Sequence, residues 1–369
     1  MRRCIFLLLC LLTPLSWSRP TLGTGAAFAP DGTLWVVRTH DEQLLAQTSS
    51  DDGQTWSAPR ALLQAPEPIA ADGENRPKIA FGKDGVVAIS WTRPTSAHYT
   101  GDIRLLRSVD GGRHWSAPRT VHTDTQRVGH RFDAMAFDDA GRLYVLWIDK
   151  RHSESSYRGA AIYAAVSSDG GAHFEREVKL ADHSCECCRI ALSFDPSIKK
   201  MSAFWRHVFE PNERDFMLAT FGPDLRAQLQ RATQDHWAID ACPHHGGSLS
   251  VAADGTQHRV WFNVVGGVGR SFYGRETQGA IETQALPQGA EHADVIASGE
   301  RVVLVWKAFD GKATQLKAWS SKDGGHHFTE HTLMQTDVAS DAPHLVAHGA
   351  RVFAIWTTAE KLNVIEVQP

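Results

Sequence analysis

One unit recurs along almost the whole chain: a strand, a tight turn and a second strand that ends at tryptophan. The run "RPKIAFGKDGVVAISW" (76–91) alternates apolar and polar residues on both sides of a turn that carries glycine and aspartate. Equivalent runs end at Trp91, Trp147, Trp205, Trp261, Trp306 and Trp356, and a weaker first copy spans 26–38. Their spacing of 45 to 58 residues is the length of a four-stranded propeller blade. Seven units predict an all-β, seven-bladed β-propeller of four-stranded blades, with a six-bladed ring as the alternative.

A second motif, Ser-x-Asp-x-Gly-x-(Thr/His)-(Trp/Phe), recurs four times. The copies are "SSDDGQTW" (49–56), "SVDGGRHW" (108–115), "SSDGGAHF" (167–174) and "SKDGGHHF" (321–328). The aspartate can accept backbone N–H groups within the turn, and the glycine allows a positive φ. This motif is the Asp box, and the chain resembles the Asp-box β-propellers, whose best-known members are sialidases. The last unit has room for only three strands, so residues just after the N-terminal segment are expected to supply a fourth and close the ring.

The N-terminal segment has the pattern of an export signal. Arg2 and Arg3 precede a short apolar stretch that ends near Pro14. We therefore expect a signal peptide at 1–18 and a single propeller domain at 19–369, exported to the periplasm or secreted. No later stretch is apolar enough to span a membrane. The net charge of −4 gives no support for nucleic-acid binding.

Half of the six cysteines lie in four positions of the stretch "CECC" (185–188), just before a predicted strand. The equivalent position of the next unit reads "CPHH" (242–245). Because the loops that lead into the first strand of every blade meet at the mouth of the central channel, we expect the two stretches to lie close together. Residues two apart in an extended chain point the same way, which pairs Cys185 with Cys187 and Cys242 with His244.

Three thiolates and one imidazole form a set that suits copper(I) or zinc. The predicted metal site therefore consists of Cys185, Cys187, Cys242 and His244, with Cys188 and His245 in support. Such a site would serve metal binding, metal handling or the assembly of another exported protein. The alternative is a partner-binding scaffold in which Cys242 forms a disulfide with the "CECC" stretch, because an oxidising compartment permits disulfides. Thiol redox chemistry is a third interpretation.

Arginines gather on the same rim. Arg76, Arg131 and Arg189 come from three successive blades and could hold an anion, since a guanidinium group binds a carboxylate with two hydrogen bonds. Arg151 and Arg206 follow second strands and are expected to face the same side. Resemblance to sialidases, which bind the substrate carboxylate with three arginines, implies an exo-sialidase-like glycosidase acting on a glycan. The family's Arg-Ile-Pro stretch precedes its first Asp box, whereas Arg76-Pro77 follows it here. Alternatively, these arginines only pair with acidic neighbours.

Overall fold

The structure, a computed structural model, describes residues 21–71, 73–151 and 158–369. These residues form seven antiparallel sheets in chain order, each a blade. The first three blades consist of β1 (Gly25–Phe28), β2 (Leu34–His40), β3 (Gln43–Ser49) and β4 (Arg60–Ala61); β5 (Lys78–Phe81), β6 (Val87–Pro94), β7 (Gly101–Ser108) and β8 (Arg119–Thr120); and β9 (His130–Phe137), β10 (Leu143–Asp149), β11 (Ala160–Ser167) and β12 (Arg176–Ser184).

The other four blades continue the pattern. They consist of β13 (Ala191–Asp195), β14 (Lys200–Arg206), β15 (Phe216–Phe221) and β16 (Gln228–Arg231); β17 (Ser248–Val251), β18 (Gln257–Val265), β19 (Val268–Thr277) and β20 (Ala280–Ala285); β21 (Glu291–Ser298), β22 (Arg301–Phe309), β23 (Thr314–Ser321) and β24 (Thr329–Thr336); and β25 (His344–His348), β26 (Arg351–Thr357) and β27 (Leu362–Glu366). The all-β, seven-bladed prediction is therefore confirmed.

The ring closes through the innermost strands. The first strand of each blade contacts the first strand of the next, and β25 of the last blade contacts β1 of the first. The seventh blade has three strands in the described part of the chain. The fourth strand expected from residues just after the predicted signal is not seen in 21–24, and residues 1–20 lie outside the described residues. None of the described residues belongs to a helix long and apolar enough to span a membrane.

Each blade is held by a second strand that is buried on both faces. β10 (LYVLWID) is buried at every position, and β6 and β14 are nearly so. The six repeated tryptophans all lie in second strands and are buried, five of them with 1% of their surface exposed or less. Because alternation places neighbouring residues on opposite faces of a sheet, such strands pack against both adjacent blades. The tryptophan repeat thus marks the second strands, whose side chains form the hydrophobic core between blades.

The four Ser-x-Asp-x-Gly turns share one hydrogen-bond pattern, at the end of the blades opposite the channel mouth. In the first, the Gly53 amide donates to Ser49 Oγ at 2.8 Å and the Thr55 amide donates to Asp51 Oδ1 at 2.8 Å. The second repeats this with Ser108 and Asp110. Hydrogen bonds from the Thr55 side chain and amide lower the pKa of Asp51 to about 2. The turns are therefore structural elements that fix the outer hairpins.

The glycine of each turn packs directly on the preceding blade, which yields a stability prediction. A Cβ at Gly112 (φ +86°) would lie 2.4 Å from Trp35 Cη2, whereas a Cβ at neighbouring Gly111 (φ +71°) would meet nothing within 4 Å. Both alanine variants force a left-handed alanine, at about 1 kcal/mol. We expect Gly112→Ala to lose about 1–3 kcal/mol more, because it also overpacks Trp35. Urea unfolding of the two variants measures the difference, and equal losses would contradict this packing contact.

Candidate functional site

The site is built from links, here meaning the segments that run from the outermost strand of one blade to the innermost strand of the next. All links lie at the channel mouth. The link between blades three and four contains Cys185, Cys187 and Cys188, and the link between blades four and five contains Cys242, His244 and His245. Two adjacent links thus carry all the cysteines of the described residues, at equivalent positions of neighbouring blades, as the repeat predicts.

The cysteine triad, Cys185, Cys187 and Cys188, forms a compact triangle of buried sulfur atoms. The Sγ–Sγ distances are 3.6 Å (185 to 187), 3.9 Å (187 to 188) and 3.8 Å (185 to 188). The sequence-based pairing of Cys185 with Cys187 leaves Cys188 in a supporting role, and the triangle differs from that expectation. That expectation assumed an extended chain, but residues 186–188 form a turn, which brings all three side chains to the same side.

Cys242 lies at the edge of this triangle and is exposed. Interaction with the Cys187 thiol is the main cause that lowers the pKa of Cys242. The four cysteines in the described residues are free. Sulfur separations of 3.6 to 3.9 Å within the triad are far longer than a disulfide bond of about 2.05 Å. Cys242 is also free, so the disulfide of the scaffold alternative, between Cys242 and the "CECC" stretch, is not formed in this structure.

The two histidines of the Cys242 link differ in environment. His244 is exposed and faces the cavity described below. His245 is stacked between Phe262 (ring centroids 4.3 Å apart) and His292 (4.5 Å). Burial and the nearby His292 lower the pKa of His245 to about 4, so this ring is neutral at physiological pH. His244 is thus available to a ligand, whereas His245 supports the wall behind it.

Two buried arginines lie beside the triad. Arg214 donates from Nη1 to Cys185 Sγ at 3.7 Å. Arg206 is fully buried, donates to the carbonyls of Arg214 and His245, and stacks over Phe216 and Trp237. Within the described residues neither guanidinium forms an ion pair with a carboxylate. Hydrogen bonds from Cys187 and Cys188, together with the Arg206 charge, hold the pKa of Cys185 well below its usual range. Hydrogen bonding to Cys185 and burial instead raise the pKa of both Cys187 and Cys188. Without a metal ion, this environment therefore favours the thiolate at Cys185 only.

Arg76 and Arg189 donate hydrogen bonds to acceptors that belong to other blades. Arg76 is buried, donates to Ala342 O at 3.0 Å and forms an ion pair with Asp341 at 3.2 Å. Arg189 donates from Nε to Gly247 O at 2.9 Å and from Nη2 to Ala293 O at 2.5 Å. These bonds connect blades across the channel. The two guanidinium groups therefore connect blades to one another, and their N–H groups bind acceptors of the protein itself.

Arg151 and Arg131 contrast with each other. Arg151 forms ion pairs with Asp149, at 2.6 Å, and with Glu177, and it stacks on Tyr163 at 4.0 Å. Arg131 lies over the rings of Tyr99 and Phe132, at 5.5 and 5.0 Å, and its guanidinium makes no ion pair within the described residues. Arg76 and Arg189 line one cavity, whereas Arg131 lines two others. Arg131 is thus the one of the five predicted rim arginines that faces open space without an acidic partner.

A cavity of about 700 Å³ opens at the channel mouth and joins these features. Its lining includes Cys187, Cys242 and His244, and also Tyr99 and Arg131. Its volume falls within the range of about 300–1,000 Å³ that is typical of small-molecule sites. The cavity therefore offers two kinds of chemistry, the sulfur and imidazole of Cys187, Cys242 and His244 and the cation and aromatic ring of Arg131 and Tyr99.

Glu74 closes the floor of the cavity and was missed as a site residue by sequence reasoning. Its Oε2 accepts the Gly246 amide at 2.7 Å, and its Oε1 lies 3.3 Å from His292 Nδ1. Burial alone would raise the pKa of Glu74, but the Arg189 charge, His292 and the Gly246 amide lower it to about 2. Glu74 is therefore an ionised carboxylate that connects the link before blade two with Gly246, in the link before blade five, and with His292 of blade six. Arg214 was also missed, since it lies in the segment between β14 and β15 that no repeat marks.

No protein-family model matches the sequence, and no curated protein matches it. Solved structures match in fold. An ulvan lyase, described as a new polysaccharide lyase family, has a TM-score of 0.61 at 13% identity, covering 94% of this chain and 92% of the lyase. An α-L-arabinanase from Penicillium chrysogenum, complexed with arabinobiose, has a TM-score of 0.51 at 14% identity and covers 79% of this chain and 92% of its own.

A third match is the leech intramolecular trans-sialidase complexed with 2,7-anhydro-Neu5Ac. Its TM-score is 0.53 at 8% identity, covering 91% of this chain and 82% of the trans-sialidase. At such low identities the likeness shows the fold alone. The chain is a seven-bladed β-propeller whose fold is similar to that of sialidase-type and polysaccharide lyase propellers.

Proposed function

We propose that this protein is an exported β-propeller that binds a soft metal ion, Cu(I) in preference to zinc, at the cysteine triad. The observation that carries the proposal is the pairing of three buried sulfur atoms with two buried guanidinium groups that lack carboxylate partners within the described residues. A buried cation without an anion costs several kcal/mol of folding free energy. Thiolates at the triad supply the missing negative charge.

The spacing of the sulfur atoms supports coordination of one ion. Ligands at a metal–sulfur distance of about 2.3 Å lie about 3.8 Å from one another in a tetrahedral site and about 4.0 Å in a planar three-coordinate site. The three distances in the triad are 3.6, 3.8 and 3.9 Å. Little rearrangement is therefore needed to close the triad around a metal ion. This arrangement includes Cys188 as a ligand, whereas the sequence alone favoured Cys185, Cys187, Cys242 and His244.

Charge and ligand number favour copper. Three thiolates and one Cu(I) carry a net charge of −2, which Arg206 and Arg214 offset. Zinc in structural sites is almost always four-coordinate and would need a fourth ligand from the exposed side, such as Cys242 or His244. Thiolate-rich sites select soft ions such as Cu(I). The proposed role is to hold or pass on copper, or to assist the assembly of another exported protein.

Metal titration of anaerobically purified protein tests this proposal. Four free thiols are expected in the mature chain, and elemental analysis after addition of Cu(I) and desalting is expected to give about one equivalent. The double variant Cys187→Ser/Cys188→Ser is expected to retain none, since only one triad sulfur remains. Protein that carries two disulfides and binds no metal would refute the proposal and favour the scaffold interpretation.

A glycan-binding function is the second candidate, and Arg131 is the observation that favours it. Its unpaired guanidinium stacks on Tyr99, an exposed ring, beside a cavity of sufficient size for a sugar. The structures that share the fold include proteins acting on or complexed with saccharides, as the trans-sialidase and the arabinanase do. In this function Arg131 would bind a carboxylate of an acidic glycan.

Release of a fluorophore from a sialoside distinguishes the two candidates. Activity that is lost in Arg131→Ala and kept in Cys187→Ser/Cys188→Ser would establish a glycosidase function independent of the thiols. No release by the wild-type protein, together with stoichiometric copper binding, would leave the metal function as the sole candidate of the two.

A further inference from the structure

Cys242 differs from the triad in position and exposure. The three triad thiols are buried in the link between blades three and four, whereas Cys242 is exposed on the next link. Among the cysteines of the described residues, only Cys187 and Cys242 line the cavity at the channel mouth. The four sulfur atoms therefore form a path from solvent to Cys242, then to Cys187, and then to Cys185 and Cys188.

A buried metal site raises the question of how the ion reaches its ligands, and this path gives a route. A metal ion that reaches Cys185 and Cys188 must first shed the ligands of whatever carrier delivers it, and both thiols are 1% exposed. Ligand exchange proceeds by the arrival of one new ligand before an old one leaves, as thiol–disulfide exchange does at sulfur. Of the four cysteines in the described residues, the cavity admits a carrier to Cys242 and Cys187 only. Exchange at the triad thus requires a ligand on the cavity side.

We propose that Cys242 is the exchange ligand through which Cu(I) enters and leaves the triad. This inference rests on the proposed function. In the uptake direction, the Cys242 sulfur replaces one ligand of the carrier, and Cys187 then binds as the remaining carrier ligands leave. Any proton on either thiol passes to water. No electron is transferred, and copper remains Cu(I) throughout.

Loss of Cys242 is expected to change the rates of Cu(I) exchange but not the equilibrium affinity for Cu(I). Cys242 assists both directions of exchange, so its loss is expected to slow uptake and release by the same factor and leave the equilibrium unchanged. Cys242→Ser is expected to slow both by about tenfold, because a serine hydroxyl is a poor ligand for Cu(I). Cys242→Met, which provides a thioether sulfur, is expected to restore part of the rate. A merely structural role of Cys242 would not produce rescue by methionine.

The experiment uses Cu(I) supplied as its coloured bathocuproine disulfonate complex, with transfer to the full-length mature protein followed anaerobically by absorbance. Fast mixing gives the uptake rate, and the reverse reaction with excess chelator gives the release rate. Wild-type rates in Cys242→Ser would overturn the inference. Loss of equilibrium binding in that variant would overturn it too, because Cys242 would then be a permanent ligand. Failure of the proposed function is recognised separately, since the wild-type protein would take no copper from the complex.

Discussion

Anaerobic competition titrations are expected to give Cys188→Ser an affinity for Cu(I) at least about 100-fold below that of the wild-type protein. Removing a residue that only orients a metal ligand already costs about 10–100-fold in affinity, and Cys188 would be a ligand itself. Serine is close to cysteine in size, so the buried site keeps its shape, but a hydroxyl oxygen is a hard ligand. The two remaining triad sulfurs, Cys185 and Cys187, lie 3.6 Å apart and complete only part of the site.

Cys242→Ser is the matched control for this prediction. It makes the same chemical change at a thiol that neighbours the triad but is exposed, and its equilibrium affinity is expected to stay within about threefold of wild type. Thermal unfolding of both metal-free variants checks that the propeller is intact. Equal and large affinity losses in the two variants would show that the four cysteines act as one ligand set, and no loss in Cys188→Ser would exclude the triad as the site.

Much of the fold follows from local patterns in the sequence. Each blade is encoded locally by an alternating strand pair, and in six of the seven the second strand contains a buried tryptophan, at spacings of 45 to 58 residues. The number of blades can therefore be counted without knowing any long-range contact. The four Ser-x-Asp-x-Gly turns also depend on local sequence, since their hydrogen bonds join residues four positions apart or fewer. What the sequence left open was the last blade, where the expected fourth strand depends on a pairing between the two ends of the chain.

The site was predictable only in part, because its chemistry depends on contacts between distant links. The repeat aligned Cys242 with the "CECC" stretch correctly, and the two meet at one cavity. The orientation of Cys188 was not predictable, since it depends on a turn that alternation rules do not describe. Nor could the sequence show that Arg76 is bound to the protein itself while Arg131 is not, because the acceptor of Arg76 lies more than 250 positions away in the chain.

The arginine cluster illustrates why rim residues need not be ligands. A propeller brings the first strands of all blades to one narrow channel, and the backbone carbonyls there require donors. Arg189 meets this need by donating to the carbonyls of Gly247 and Ala293, which belong to the two following blades. Long cationic side chains at a channel mouth thus have a structural use that is independent of any substrate. Only an arginine whose guanidinium lacks such acceptors, as Arg131 does within the described residues, remains a candidate for anion binding.

The floor of the cavity yields the second large prediction: Glu74→Gln is expected to lose about 3 kcal/mol of stability near neutral pH. The pKa of Glu74 is lowered from 4.5 to about 2 in the folded protein, chiefly because the Arg189 charge and His292 outweigh the effect of burial. Since the folded pKa lies below the unfolded one, this stabilisation is fully present above about pH 4.5 and is lost as the pH falls towards 2. Glutamine keeps the size of the side chain but removes its charge beside Arg189.

Urea unfolding of wild type and Glu74→Gln between pH 7 and pH 2.5 measures this effect as a difference. Other carboxylates titrate in both proteins and cancel, so the free-energy gap between the two is expected to shrink as the pH falls below 4.5. Glu67→Gln is the control, because that carboxylate also pairs with an arginine, Arg104, which lies in the third strand of blade two and not in the innermost strands. A gap that stays constant with pH would mean that the Glu74 charge does not hold the channel together. A gap that closes would identify the Glu74 carboxylate as the anion that fixes Arg189 and, through the Gly246 amide, the link that carries Cys242.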